Sequence, residues 1–433
     1  MPSYWIETLG CPKNVVDSAK LTGLIETSGY IGARDAESAD LIVVNTCAFI
    51  EAARAESIEV VLDLSERRRD GAKVVVTGCM AERYREELET ALPEIDLVAG
   101  FGESPIPQGV RVELGLRPVP SSFDLLALPR PAASAPWAYI KVAEGCDRRC
   151  GFCAIPTFRG DQRSLGVDAL VAEAESLVAG GARELVLVAQ DLASYGRDRR
   201  RAGKEDLNDL DTPSSQPIVD LVRRLTGTAD WLRLLYLYPS GLTDALIEAI
   251  LDTAVPYFDL SLQHASRPLL HGMRRWGDGD RFLARIERIR SMEPTATFRS
   301  SFILGYPGET EEDQRRLVAF LEEAQLDWAG FFTFSAEEGT PALTMGDQVP
   351  SALALERLAE CSEAQDAITS RSRDALVGQT RTVLVDSPGN ARSVHEAPEI
   401  DGIIAVPSEL AIGEFHEVVI TGSFGTDLLA MPA

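Results

Sequence analysis

The sequence predicts an α/β protein with three folded parts: an N-terminal parallel-sheet domain, a central partial (βα)6 TIM-like barrel and a small OB-like β-barrel at the C-terminus. Two patterns carry this prediction. Short apolar runs alternate with helical periodicity through most of the chain, as is typical of parallel sheets. Beyond about residue 375 the helical pattern stops and short β-type runs follow, which favours a small closed barrel.

The predicted N-terminal domain, residues 1–100, alternates three strands with three helices. The predicted strands are 4–11, 40–47 and 72–79, and the predicted helices are 15–29, 51–69 and 80–92. A proline-rich stretch without clear periodicity follows at 101–136, and we interpret it as a linker that leaves room for one short strand.

The predicted barrel domain, residues 137–372, repeats the strand–helix rhythm. Its predicted strands are 138–146, 183–191, 231–239, 257–265, 297–306 and 328–336, and the clearest helices are 167–181, 243–253, 280–292 and 311–325. Residues 197–217 are polar and mixed in charge, which indicates a solvated surface loop. Six βα units in series fit one incomplete barrel better than two separate sheets.

The predicted C-terminal domain, residues 373–433, contains β-type runs at 380–387, 401–408 and 416–424. From Gln379 onward it carries eight acidic residues against two arginines. A surface of this charge is a poor match to RNA and a better match to a basic protein.

The composition of the chain excludes several classes. A net charge of −25 disfavours general nucleic-acid binding. No segment has the roughly 18 apolar residues that span a membrane, and no secretory signal pattern opens the chain, so we expect a cytoplasmic protein. The chain has seven cysteines and four histidines. An odd number of cysteines in a cytoplasmic protein indicates free thiols rather than disulfides. Because histidines are few, a metal site would depend on thiolates.

Cys146, Cys150 and Cys153 form a C-x3-C-x2-C set at the end of the first barrel strand. Three thiolates within one short loop can wrap a single metal centre. On an iron–sulfur cluster, three ligands leave one iron open for a substrate or cofactor. Zinc, which favours paired C-x2-C spacings and a fourth ligand, and unligated cysteines remain the alternatives at this point.

Cys11, Cys47 and Cys79 are far apart in sequence, but each closes a predicted strand. The carboxyl ends of parallel strands meet at one sheet edge, where α/β proteins build their sites. The three thiols therefore have equivalent positions and can converge. The alternative is that they are ordinary buried cysteines, which are common at strand ends.

The cysteine set with Phe152 before its last member resembles the radical S-adenosylmethionine superfamily. That resemblance implies a 4Fe–4S cluster whose open iron chelates the amino and carboxylate groups of S-adenosylmethionine. Reduction then cleaves the sulfonium to a deoxyadenosyl radical, which abstracts hydrogen from an unactivated carbon. A fourth cysteine would block the open iron.

The rest of the chain resembles the methylthiotransferase family within that superfamily, and the last domain resembles a TRAM domain. The matching runs, in order, are TLGCPKNVVDS, ADLIVVNTCAFIEAARAES, VVVTGCMAERY, RGDQRS, LVAQDLASYG, RLLYLYP, DLSLQHAS, ILGYPGETEED and FSAEEGTPA. In this family the N-terminal cysteines hold a second 4Fe–4S cluster, so the resemblance implies two clusters. The wording GCPKN, NTCAFI, LQHAS and EAPEIDG is similar to the branch that modifies a ribosomal protein.

The resemblance also implies which residues bind S-adenosylmethionine. Gln190 and Asp191 match the methionine-amino position, and Ser261 and Gln263 the ribose position. The candidates near adenine are Arg299, Ile303, Gly305 and Glu309. All eight positions are expected at carboxyl ends of strands, where barrel enzymes place function.

The implied reaction adds a methylthio group to the β-carbon of an aspartate in a small-subunit ribosomal protein, giving 3-methylthioaspartate. The implied partners are that basic protein, free or on the ribosome, and a reducing electron donor; RNA contact is not favoured. Two alternatives stay open: the same chemistry on a tRNA adenosine, and a two-cluster electron carrier without catalysis. Of the remaining candidates, Lys13 is expected at the surface, with a cation near anionic cluster sulfide as the alternative. Cys361 is expected in helix packing or as an idle thiol, and His264 either orients a ligand or makes a structural hydrogen bond.

Overall fold

The computed structural model describes residues 1–107, 122–201 and 216–433. In the N-terminal domain the strands are β1 (Ser3–Thr8), β2 (Ile31–Gly32), β3 (Leu41–Thr46), β4 (Lys73–Gly78) and β5 (Leu97–Val98). The helices are α1 (Pro12–Thr27), α2 (Glu51–Arg67), α3 (Cys79–Arg83) and α4 (Arg85–Ala91). The strands form one parallel sheet in the order β2-β1-β3-β4-β5.

This sheet confirms the predicted parallel α/β arrangement. The strand β3 is buried along its whole length, as expected for a central strand covered on both faces. The predicted helix 80–92 is divided into α3 and α4, because Tyr84 leaves the helical region with φ −132° and ψ 35°. The Arg83 guanidinium lies 4.9 Å from the centre of the Tyr84 ring at this break.

The central domain begins with strands and ends with a long helix. Its strands are β6 (Trp137–Lys141), β7 (Ala143–Glu144), β8 (Arg163–Ser164), β9 (Glu184–Val188), β10 (Trp231–Leu234), β11 (Tyr257–Gln263), β12 (Thr297–Leu304) and β13 (Trp328–Thr333). Its helices are α5 (Ile155–Phe158), α6 (Val167–Ala179), α7 (Arg197–Arg201), α8 (Pro217–Leu225), α9 (Asp244–Leu251), α10 (Arg267–Gly272), α11 (Gly279–Met292), α12 (Glu311–Ala324) and α13 (Ser351–Asp374).

Six parallel strands form the predicted open barrel in the order β6-β9-β10-β11-β12-β13. Hydrogen bonding is continuous within β6-β9-β10 and within β11-β12-β13. A single parallel bridge between Leu237 and Leu260 joins the two halves. The hydrogen bonding between β10 and β11 is reduced to this one bridge because Tyr236, just after β10, adopts a left-handed φ of 64°. The strands β7 and β8 form a separate antiparallel pair that closes the loop carrying Cys146, Cys150 and Cys153.

The helices around the barrel bury apolar stripes. In α8 the buried residues include Ile218, Leu221, Val222 and Leu225, a spacing that places them on one helix face. The helix α12 begins with a capping box in which Thr310 and Asp313 exchange hydrogen bonds with each other's backbone N–H groups.

Two predicted segments lie partly outside the described residues. These are the linker, in which 108–121 are not described, and the polar segment 197–217, in which 202–215 are not described. The short strand allowed for in the linker stays a prediction. At the start of the polar segment, Arg197–Arg201 form the helix α7.

The C-terminal domain is a closed barrel, as predicted. Its strands are β14 (Thr380–Ser387), β15 (Asn390–Arg392), β16 (Ile404–Ala405), β17 (Phe415–Phe424) and β18 (Asp427–Pro432). Their order around the barrel is β14-β15-β16-β18-β17. Nine apolar residues fill its interior, among them Val383, Val385 and Ile420.

The loop between β15 and β16 packs against the strand-start end of the central barrel. Trp328, the first residue of β13, donates its ring N–H to the His395 carbonyl over 2.9 Å. The hydroxyl of Tyr257, the first residue of β11, donates to Asp401 over 2.6 Å. The C-terminal barrel therefore covers the end of the central barrel opposite the cysteines.

Candidate metal and cofactor site

Cys11, Cys47 and Cys79 meet at the carboxyl edge of the N-terminal sheet. In the strand register Thr8 pairs with Asn45 and Thr46 with Gly78, so β1, β3 and β4 end level with one another. Cys11 precedes α1 as its N-cap residue, Cys47 follows β3 directly, and Cys79 opens α3. The parallel register thus brings the three thiols to one edge, as the sequence predicted.

The backbone around these thiols is closely packed. Gly10 has φ +94°, and a Cβ there would lie 2.9 Å from the Cys47 sulfur. Asn14 ties the strand ends together, because its Nδ2 donates to the Leu9 carbonyl over 2.7 Å and to the Thr46 carbonyl over 3.1 Å. Glycine at position 10 is therefore required both by the left-handed backbone and by the space next to Cys47.

The three thiols lie within electrostatic reach of one another. Burial first, and then the neighbouring Cys79 and Cys11, raise the pKa of Cys47 to about 12. Burial also raises the pKa of Cys79, against the opposing charge of Arg159. At Cys11 burial acts in the same direction, but the charges of Lys13 and Arg159 outweigh it and leave the pKa below its ordinary value.

Cys146, Cys150 and Cys153 lie together in the loop between β7 and β8. Gly145 starts this loop with φ +75°, where a Cβ would lie 2.2 Å from the Asp161 carbonyl oxygen of the returning chain. The Cys146 N–H donates to the Gly160 carbonyl over 3.0 Å and closes the loop. Burial first, and then the neighbouring thiols, raise the pKa of Cys153 to about 12. Phe152 packs against the main apolar core.

Both candidate donor sets consist of three cysteine thiols. Within residues 1–107, 122–201 and 216–433, no three His, Cys, Asp or Glu side chains lie close enough together to hold one metal ion. Each trio nevertheless consists of thiols that interact with one another. Thiolates are the ligands of iron–sulfur clusters, so both trios suit such a cluster. Zinc stays the alternative.

Gln190 and Asp191 follow β9 and carry oxygens without partners. The Gln190 Nε2 donates to Glu144 over 2.9 Å, while its Oε1 is buried with no hydrogen-bond partner among the described residues. Asp191 accepts from Arg148 over 2.8 Å through Oδ2, and its Oδ1 is likewise buried and unpaired. Buried acceptors without partners fit an ammonium group bound between them. The unpaired oxygens of Gln190 and Asp191 therefore fit the predicted role of these residues in binding the amino group of S-adenosylmethionine.

The next four candidates lie at the predicted strand ends. Ser261 and Gln263 end β11, where Gln263 has the left-handed φ of 73° and the Ser261 carbonyl accepts from Arg275. Ile303 is half-buried near the end of β12, and Gly305 follows it. The role of each in binding the cofactor stays a prediction.

Two candidates are engaged with protein partners. The predicted position of Arg299 at a carboxyl strand end is wrong: it lies near the start of β12. Its ion pairs with Asp259 over 3.3 Å and with Asp401 over 3.4 Å hold it at that end. Glu309 accepts from the Gly305 N–H over 2.6 Å and pairs with Arg357 over 3.1 Å. Each therefore has a structural partner, and contact of either with a cofactor stays a prediction.

Of the two predicted positions of Lys13, the surface one is wrong, while the position near anionic cluster sulfide stays a prediction. Lys13 is 8% exposed, and its Nζ lies 3.4 Å from the centre of the Tyr236 ring, which belongs to the central barrel. His264 makes the structural hydrogen bond that was one of its two predicted roles, since its Nδ1 accepts from the Ser266 N–H over 2.9 Å. Cys361 is buried on α13 and receives a hydrogen bond from Gln314.

Sequence reasoning missed a group of charges between the two cysteine sets. Lys141 at the end of β6 is fully buried and pairs with Asp17 of α1 and with Glu144. Arg159 pairs with Glu144 over 2.7 Å and contacts the Cys79 sulfur. Charged residues are almost never fully buried unless they are paired. The only signal in the sequence was the position of Lys141, Glu144 and Arg159 around the C-x3-C-x2-C motif.

Three family models match consecutive parts of the chain. The model described as "Uncharacterized protein family UPF0004" matches residues 3–100, the radical SAM superfamily model matches 140–321, and the TRAM domain model matches 377–432. The radical SAM match implies a 4Fe–4S cluster and S-adenosylmethionine.

Curated relatives match the whole chain. A protein of Trichlorobacter lovleyi named "Ribosomal protein uS12 methylthiotransferase RimO" is 40% identical, over 98% of this chain and 96% of its own length. Proteins of the same name from Microcystis aeruginosa and Anaeromyxobacter are 40% and 41% identical, again over 98% or more of this chain and over 98% and 92% of their own. The chain belongs to the RimO methylthiotransferase family. The family predicted from the motifs is thereby confirmed, and with it the radical SAM class of enzyme.

Solved structures confirm the fold class of this RimO family member. The radical S-adenosylmethionine methyltransferase TsrM from Kitasatospora setae, with tryptophan and a cofactor analogue, has a TM-score of 0.55 at 13% identity. The matched region covers 86% of this chain and 90% of the TsrM chain. At this identity the likeness concerns the fold alone. Within the described residues, every helix is too short or too polar to cross a membrane.

Proposed function

We propose that this RimO family member inserts a methylthio group at the β-carbon of an aspartate in a small-subunit ribosomal protein, giving 3-methylthioaspartate. The observation that carries the proposal is the presence of two thiol trios at strand ends of two domains, which are joined by buried ion pairs of Lys141 and Arg159 with Asp17. A simple electron carrier would not need the unpaired Gln190 and Asp191 oxygens beside one trio. The names of the full-length relatives support the substrate.

Two clusters are proposed from the donor sets. Cys146, Cys150 and Cys153 would hold the cluster that binds S-adenosylmethionine, and Cys11, Cys47 and Cys79 would hold an auxiliary one. When bound, these groups supply radical formation and the sulfur to be inserted. The protein contributes cluster retention, orientation and exclusion of water: Cys47, Cys79, Cys146 and Cys150 are each under 9% exposed.

The side chains of this chain orient the cofactor at the barrel end. Asp191 Oδ1 and Gln190 Oε1 are the acceptors proposed for the amino group, because both are buried and unpaired. Arg148 fixes the Asp191 carboxylate through Oδ2 and lies 3.7 Å from the centre of the Tyr238 ring. Phe152, Ser261, Gln263, Ile303 and Gly305 are the further proposed contacts, while Arg299 and Glu309 would act through the partners that they already hold.

We propose that the acidic C-terminal domain helps to recruit the basic substrate. Three of its eight acidic residues pair with arginines: Asp386 with Arg392, Glu396 with Arg373, and Asp401 with Arg299. Glu409, Glu414 and Glu417 are exposed and form the acidic outer surface. This surface is at the strand-start end of the barrel, so a recruited substrate must extend along the barrel to the thiols.

The alternative of a tRNA substrate is not favoured by this surface. A TRAM domain that binds RNA would present a basic face to the phosphates. Here Arg392 is buried, and Arg381 donates to Gln379 and to the Thr380 carbonyl.

The test is an anaerobic assay with the reconstituted protein, S-adenosylmethionine, a reductant and ribosomal proteins of the small subunit. Formation of deoxyadenosine together with a methylthio-modified ribosomal protein is expected. Absence of deoxyadenosine from a protein with full iron content would instead support the electron carrier. Deoxyadenosine with modification of added tRNA alone would support the tRNA alternative.

A further inference from the structure

Arg159 lies between the two thiol trios. It follows α5 in the chain segment that returns from Cys153 to β8, so it belongs to the radical SAM domain. Its side chain is only 3% exposed and reaches the N-terminal domain. The ring of Phe101, which directly follows that domain, lies 4.5 Å from the guanidinium.

All three guanidinium nitrogens of Arg159 are in use. Nε and Nη2 donate to the Cys79 sulfur over 3.3 and 3.0 Å. Nη2 also donates to Asn14 Oδ1 over 2.8 Å, and Asn14 is the residue that ties the ends of β1 and β3. Nη1 donates to Glu144 Oε1 over 2.7 Å. A planar fork with five N–H groups can make these bonds at once, whereas a lysine ammonium cannot.

Glu144 continues the contact toward the other trio. Its Oε1, which accepts from Arg159, also accepts from Gln190 Nε2 over 2.9 Å. Its Oε2 accepts from Lys141 over 2.6 Å. Glu144 lies two residues before Cys146, so one hydrogen-bonded path runs from the Cys79 sulfur to the residues around the Cys146 loop.

We propose that Arg159 is a positioning residue that holds the auxiliary cluster against the radical-generating site and tunes its reduction potential. This rests on the proposed function, because it assumes that Cys79 ligates a cluster. Hydrogen bonds and positive charge at a ligand sulfur stabilise the more negative, reduced cluster. Arg159 therefore raises the potential of the Cys11–Cys47–Cys79 cluster, and nothing else described on the Cys79 sulfur replaces its two donors.

The test uses the full chain with Cys146, Cys150 and Cys153 all changed to alanine, so that one cluster alone reports. The protein is reconstituted anaerobically with iron and sulfide and titrated potentiometrically with electron paramagnetic resonance detection. In this background Arg159→Gln should shift the potential to lower values. Arg159→Lys keeps the positive charge but lacks the planar guanidinium with its several donors. Its cluster should therefore have a reduction potential between those of Arg159→Gln and the parent.

The matched control is Arg373→Gln in the same background. Arg373 is also a buried arginine, in the last turn of α13, and it pairs with Glu396 in the loop after β15, away from both thiol trios. The reduction potential of the cluster in Arg373→Gln should equal that of the parent. Selective loss of iron from the Arg159 variants, with iron retained in Arg373→Gln, would also support the positioning role.

Two results would overturn the inference while leaving two clusters intact. One is an Arg159→Gln protein with full iron and the parental potential. The other is equal iron loss in Arg159→Gln and Arg373→Gln, which would indicate a general effect of removing a buried arginine. If the parent itself takes up no iron on the N-terminal thiols, the proposed function fails, and this inference fails with it.

Discussion

At the scale of single residues, the N-terminal thiols were predictable and their surroundings were not. Cys11, Cys47 and Cys79 each close an apolar run, and parallel strands bring their ends to one edge. Lys13 was misplaced because its burial depends on Tyr236, a residue of another domain that is distant in the chain. Arg159 was overlooked for the same reason: its partners Cys79 and Asn14 come from the N-terminal sheet.

Replacing Cys11 with alanine should remove one cluster. We expect the reconstituted Cys11→Ala protein to hold about half of the parental iron, because a cluster with two of three thiolates is poorly retained. The Cys146 trio should still support deoxyadenosine formation. Iron analysis and product chromatography measure both quantities.

Cys361→Ala is the matched control for this prediction, since Cys361 is a buried cysteine on α13 that belongs to neither trio. It should keep the full iron content. Equal iron in Cys11→Ala and the parent would show that Cys11 is not a ligand.

At the scale of elements, strand periodicity predicted the six-stranded barrel well, because buried parallel strands are long apolar runs. The break between its halves was not predictable. It depends on the left-handed Tyr236, whose N–H donates to Asp259 of β11 over 2.9 Å. The turn after β11 is likewise set by a tertiary environment, since His264 is buried between Asp313 and Arg357.

The turn after β11 should make stability depend on pH. Burial lowers the pKa of His264 to about 4, helped by Arg357 and opposed by Asp313. An unfolded histidine has a pKa of about 6.5, so protons favour the unfolded state. The stabilisation is complete above about pH 6.5 and is lost as the pH falls toward 4. Between pH 7 and pH 5 this group alone should lower the free energy of unfolding by about 2 kcal/mol.

Denaturant unfolding of the parent and of His264→Gln at both pH values checks this, because other titrating groups cancel in the difference. The variant should lose about 2 kcal/mol less than the parent between pH 7 and pH 5. Identical losses would show that His264 is not buried in its neutral form.

At the scale of the whole molecule, the three folded parts were predictable from changes of periodicity, while their assembly was not. Buried ion pairs hold the C-terminal domain to the barrel. The sequence had indicated only that the acidic residues of this domain form an acidic surface. Glu184, the first residue of β9, accepts from Arg233 over 2.6 Å and from Arg392 over 2.7 Å, and all three side chains are at most 3% exposed.

Removing the Glu184 carboxylate should destabilise both domains together. Glu184→Gln leaves Arg233 and Arg392 without a shared counter-charge in a buried site, which typically costs about 3–5 kcal/mol. Thermal unfolding should show a lower midpoint for the barrel and the C-terminal domain alike. Asp230→Asn is the control, because its pair with Arg183 is exposed and exposed pairs contribute about 0–1 kcal/mol. A thermal unfolding midpoint that is unchanged in both variants would contradict a stabilising role of the buried Glu184 ion pairs.

The central claim is that the chain modifies a ribosomal protein. Mass spectrometry of small-subunit ribosomal proteins and of tRNA nucleosides, from cells with and without the gene, tests it most directly. We predict that one small-subunit protein loses a methylthio group from an aspartate when the gene is absent, and that complementation with Cys11→Ala does not restore it. Unchanged ribosomal protein masses, with a methylthio group lost from a tRNA nucleoside, would contradict the account.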